Sequence, residues 1–201
     1  MTQHSDQLPR IFQANIARLY QRVVQPTLER LPMHEKLLTG VTTSMDEFLD
    51  GAAMQVDNHT ANEANKVLVL VLAAIFERQL RLWASNILRV TDHPDIAGMH
   101  FEKLLAAVIE VAGIDLHQRD MGESLEEALL VANVVRHGDG QSSKALRDRK
   151  PALWVQNDDY VDLAPGPSPD SEMLRVRPDD LIRYMRAMIR FWGLADPLPW
   201  P

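Results

Sequence analysis

Asn133 and His137 stand four residues apart in a stretch, Leu125 to Gly138, that is otherwise largely apolar. On a helix that spacing sets the amide and the imidazole on one face, one turn apart. Glu126 lies a heptad earlier on the same stripe. Polar side chains in a buried helix need partners, or each costs about 1–3 kcal/mol. The pair therefore implies either an internal network or a site. A cationic run follows at once: Arg136, then Lys144, Arg147, Arg149 and Lys150, against Asp139 and Asp148. An imidazole with an unperturbed pKa of about 6.5 moves protons near neutrality, and a cationic loop beside it suits a phosphate. The plainer alternative is structural. Asn133 then satisfies backbone groups of a neighbouring helix, and His137 caps the negative end of its own.

The elements that must position these residues read as helices. Pro9 to Leu31 carries Ile11, Phe12, Ile16, Leu19, Tyr20, Val23 and Val24 at helical spacing, with Pro26 as a kink or stop. Ser44 and Glu47 form a capping box before a short helix, Thr43 to Leu49. Thr60 to Val90 has no glycine or proline and predicts one long helix. Phe101 to Ala112 predicts another, stopped by Gly113. Ser124 and Glu127 read as a second capping box opening the helix Leu125 to Arg136, which Gly138 and Gly140 end. Ser142 to Lys150 predicts one or two turns. The runs Tyr160 to Leu163 and Met173 to Arg177 flank a Pro/Gly/Ser-rich stretch and predict an irregular or hairpin excursion. Pro178, Asp179 and Asp180 start the last helix. Its buried face is Leu181, Ile182, Tyr184, Met185, Met188, Ile189 and Trp192, and Gly193 is its expected stop. The expectation is an all-α bundle of five to six helices in one domain over residues 1–201. Residues 1–50 form an N-terminal helical extension, and 60–192 form the bundle.

Bulk properties narrow the function. The chain is 46% hydrophobic and 24% charged, which argues for a folded domain. It has no cysteine, so disulfides and thiolate metal sites are excluded. The net charge of −7 argues against duplex DNA, whose binders carry a basic surplus. The apolar run Val67 to Phe76 is too short to span a bilayer, and Met1 to Gln7 lacks the pattern of a secretory signal. A cytoplasmic protein with no membrane partner is expected. Phosphate-loop, dinucleotide and nucleophile-elbow motifs are absent. His59 and Glu63 could share a helix face, but one such pair is common by chance; no metal and no cofactor is expected.

The stretch Asn133-Val134-Val135-Arg136-His137-Gly138 resembles the Asn-x-x-x-His signature of HEPN domains (higher eukaryotes and prokaryotes nucleotide-binding). Phe76 to Leu80 and Leu181 to Trp192 are similar in style to bacterial members. The resemblance implies a helical bundle that binds RNA or a nucleotide, with two subunits assembling the cleft. In active members it implies metal-independent RNA cleavage. His137, Asn133 and Arg136 would then be the catalytic candidates, with Lys144, Arg147 and Arg149 holding the substrate. The family arginine falls at Ala132, and a methyl group cannot stabilise charge on a transferring phosphate. The expectation is a homodimeric RNA- or nucleotide-binding domain, at most a degenerate ribonuclease of a defence or toxin type. The alternative is a non-catalytic helical interaction or dimerisation module.

Overall fold

The computed structural model describes residues 7–37, 43–88, 96–155 and 167–196. Among them the protein is all-α. Helix α1 (Leu8–Leu19) runs through a π-helical turn (Tyr20–Val24) into α2 (Gln25–Arg30). The π-turn has a local cause. Pro26 has no N–H to continue the ladder, and the Gln25 amide instead reaches back to the Tyr20 carbonyl. The Thr27 hydroxyl caps the Val23 carbonyl at 2.6 Å.

Helix α3 (Met45–Ile87) has 43 residues and is the axis of the fold. The two helices expected from the sequence, Thr43 to Leu49 and Thr60 to Val90, are therefore parts of one. Gly51, the residue that suggests a break, is buried inside it. Ser44 caps its start by accepting from the Glu47 amide, while the Glu47 carboxylate accepts from the Thr43 amide and hydroxyl. Those Thr43 bonds hold the Glu47 carboxyl below its ordinary range.

Helix α4 (Phe101–Ala112) ends on Gly113, whose φ of 66° is left-handed, as a glycine stop requires. A 3-10 turn (Gln118–Asp120) leads into α5 (Met121–His137). Gly138 ends α5 at φ 72°. Helix α6 (Gln141–Arg149) and a 3-10 turn (Pro151–Trp154) follow, then α7 (Pro178–Ala195). The Arg177 amide donates to Asp180 at 3.0 Å, fixing the start of α7. Gly193 does not stop that helix. A Cβ there would lie 2.7 Å from the Gln13 amide nitrogen, so glycine serves the close approach of α1 instead.

Helix α5 packs between α3 and α7, and α1 packs along α7. The largest buried side chains meet where these helices cross. Phe12, Phe76, Phe191 and Trp192 pack at ring separations of 4.9–5.7 Å, mostly edge to face.

Of the irregular or hairpin excursion expected before the last helix, the hairpin is not seen: the described residues contain no strand, and Tyr160 to Leu163 lies outside them. Residues 173–176 run as a turn and then extended chain, and side chains of α3 hold them. Asn62 donates to the Leu174 carbonyl and accepts from the Val176 amide, both at 3.0 Å. Asn65 donates to the Val176 carbonyl at 2.8 Å. One turn earlier Asn58 makes the same two-way pairing with the His34 backbone, each bond 2.8 Å. Three buried asparagines thus stand in for a neighbouring strand.

Candidate functional site

Helix α5 is apolar on the side facing α3 and α7, where Leu125, Ala128, Val131, Ala132 and Val134 are buried. Its other side carries the candidates. Asn133 is half-buried, whereas Arg136 and His137 are exposed at the helix end. The amide and the imidazole are therefore not a sealed pair. Ala132, where the resemblance expects arginine, is 3% exposed and turned into the core.

A groove of about 320 Å³ opens beside α5. Asn133, Arg136, Glu126 and Leu130 of α5 form one wall, and Arg149 from the end of α6 joins them. Glu77 and Arg81 of α3, with the turn 98–102, form the other. Arg81 fixes that turn by donating to the carbonyls of Ile96, Ala97 and Met99 at 2.5–3.1 Å, while paired with Glu77 at 2.6 Å. Phe101 offers an aromatic edge.

The predicted residues divide here. Asn133, Arg136 and Arg149 share the groove. His137 and Lys144 are exposed outside its lining, and neither has an ion pair among the described residues. Arg147 turns away: it pairs with Asp170 at 2.5 Å and lies 5.7 Å over the Trp154 ring. Arg149 pairs with Glu126 at 2.5 Å on the α5 wall of the groove. Arg81, Arg136 and Arg149 face Glu77, Glu102 and Glu126, so the lining is nearly balanced in charge. Beyond it, the first amides of α6 have no side-chain cap, so they leave N–H groups for an anion or water. Asp139, in the turn between α5 and α6, accepts from the Ser171 and Asp170 amides at 2.7 and 3.1 Å. The Ser171 bonds chiefly hold its carboxyl below the ordinary range.

The sequence reading missed a buried charge with three partners, Glu127. Helix α5 begins at Met121, so Ser124 and Glu127 are not a capping box; both lie within the helix and both are buried. Glu127 takes a two-pronged contact from Arg183 of α7, a 2.6 Å hydrogen bond from the Tyr184 hydroxyl, and the Lys150 ammonium at 3.7 Å. Burial pushes the Glu127 carboxyl up, but the Arg183 and Tyr184 bonds and the two cations outweigh it, holding it below the ordinary value. Burial and the same carboxylate push the Tyr184 hydroxyl well above its usual range. A glutamate inside an apolar helix face was the available signal. A second cavity, about 380 Å³, adjoins this cluster and shares Glu126, Leu130 and Arg149 with the groove.

Among the described residues no group of three metal-ligating side chains converges, and no helix is long and apolar enough to cross a membrane. No family model, curated protein or solved structure matches the chain.

Proposed function

We propose that the protein is a HEPN-like helical domain that binds RNA or a nucleotide along the outer side of α5, and that it binds without cleaving. The observation that carries this reading is one groove lined by Asn133, Arg136 and Arg149, with His137 exposed one turn along α5 from Asn133. The groove offers an amide with donors and an acceptor, an aromatic edge and carboxylates, a set suited to a base or a ribose. Its charge balance does not favour a phosphate inside. Arg136 in the lining, and His137 and Lys144 exposed outside it, have no carboxylate ion pair among the described residues, and the uncapped start of α6 lies close by in sequence. The phosphate belongs there. Ala132 supports binding over cleavage, because no cation extends from that buried position toward a reacting phosphate.

The test is fluorescence anisotropy with short single-stranded RNAs and with nucleotides, on wild type, Asn133→Ala, Arg136→Ala and His137→Ala. Salt-sensitive binding by wild type, weakened in Arg136→Ala and His137→Ala, is expected, with no cleavage in the same mixtures. Absence of binding by wild type, or equal binding by all four proteins, rejects the reading.

A further inference from the structure

Helix α3 has a second face that nothing in the described fold covers. From Val56 onward its exposed positions step by three or four residues: Val56, Thr60, Glu63, Val67 and Val71. Ala74, Arg78, Leu82 and Ser85 continue the same stripe. The four large apolar residues in it are each 40–55% exposed. Met45 and Leu49 extend it toward the helix start, at 70% and 55%. Large exposed apolar residues that keep one helical phase over this length mark an interaction surface, since scattered ones do not.

The stripe from Val56 to Ser85 contains two charges of opposite sign, Glu63 and Arg78. In an antiparallel pairing of two such helices, one register sets each Glu63 against Arg78 of the other copy. That same register sets Val67 against Ala74 and Val56 against Ser85, and brings the two Val71 side chains together at the two-fold axis. Shifting the register by a turn separates the charges and sets Glu63 against apolar side chains. Parallel pairing in register would instead set Glu63 on Glu63 and Arg78 on Arg78.

We infer that a second copy of this chain covers the stripe, through an isologous antiparallel pairing of α3 over about 45 Å, centred on Val71. The surface lies on α3 and does not depend on the function proposed for the α5 groove.

Sedimentation equilibrium on the full chain tests the pairing. Wild type is expected at twice the chain mass of 22.8 kDa. Val71→Glu, a change at an exposed position, should keep the helical circular dichroism and weaken association by roughly a hundredfold. Arg78→Glu should weaken it too; Glu63 is kept in place, because it also holds the buried Lys66 ammonium of its own chain at 2.7 Å. The chain has no cysteine, so V71C under oxidant should yield a covalent dimer, while V111C on exposed α4 should not. A monomeric wild type overturns the inference and leaves the stripe to another kind of partner. A dimer unaffected by Val71→Glu or Arg78→Glu, or one that V71C fails to cross-link, also overturns it.

Discussion

Replacing Glu127 with alanine removes a buried carboxylate that three side chains share. Glu127 is 4% exposed and is the shared partner of Arg183, Tyr184 and Lys150. Truncation leaves the fully buried Tyr184 hydroxyl without its acceptor and Arg183 with only Asp180, at 3.1 Å, among these carboxylates. Breaking one side of a buried charge pair costs about 3–5 kcal/mol, because the partner's desolvation is no longer compensated. For a domain of this size that corresponds to a fall in Tm of about 6–20 °C. Lys150 and Arg183 are partly exposed, which draws the expectation toward the lower end. Tyr184→Phe removes one hydrogen bond and leaves the ion pair, so it should cost about 1–2 kcal/mol. Urea unfolding at pH 7 and thermal melts measure both. The pH dependence follows from the depressed carboxyl. Its stabilising contribution is present above the unfolded carboxyl value of 4.5 and is lost as pH falls through the lower folded value. Wild type and Glu127→Ala should therefore converge in stability in acid. A cost below about 1 kcal/mol for Glu127→Ala, or a gap that does not narrow as pH falls below 4.5, refutes the reasoning.

Asn62→Ala should destabilise by about 2–4 kcal/mol, because it orphans a buried carbonyl and a buried amide of residues 174–176 at once; urea unfolding reads it. Arg147→Ala should change stability by less than about 1 kcal/mol, since its pairing with Asp170 is half exposed on both sides. Gly193→Ala should stay within about 1 kcal/mol of wild type by thermal melt, because the gain in helix propensity offsets the displacement of the flexible Gln13 amide.

Local rules carried much of the fold. Gly113 and Gly138 stop their helices in the left-handed region, and Pro178 with Asp180 starts the last one, because these effects are contained within a few residues. The same locality produced the errors. Ser124-x-x-Glu127 has the letters of a capping box, but its meaning is decided by Arg183, 56 residues away. Gly51 looks like a break, yet the packing of α3 overrides a propensity loss of about 1 kcal/mol. Asn58, Asn62 and Asn65 share one face at helical spacing and still reveal nothing alone, since their partners are backbone groups of distant, extended segments. For the site, the spacing grouped Asn133 with His137, yet it is Arg136 that lines the groove beside Asn133 while His137 stands exposed outside the lining. That Arg147 is occupied by Asp170 and Arg149 by Glu126 depends on how α6 folds back, which the spacing does not contain.

Adjacent residues on α5 and at the end of α6 form two parallel pairs, Glu126 with Arg149 and Glu127 with Lys150. The inner pair belongs to the buried cluster and anchors α6. The outer pair is about half exposed, lies on the groove wall, and holds one of its three arginines in check. Glu126→Gln should then separate stability from binding. Stability should change by less than about 1 kcal/mol, as for other exposed pairs. The substitution removes one negative charge from the groove and frees Arg149 for an anionic guest. At an effective dielectric between water and protein, one unit charge several ångströms away is worth about 1 kcal/mol, or roughly fivefold in affinity. Nucleotide or RNA affinity should therefore rise in Glu126→Gln and fall in Arg149→Ala, with both effects shrinking at high salt. If Glu126→Gln instead binds more weakly, the carboxylate is itself a contact to the guest, and the groove recognises donors on the ligand more than its charge.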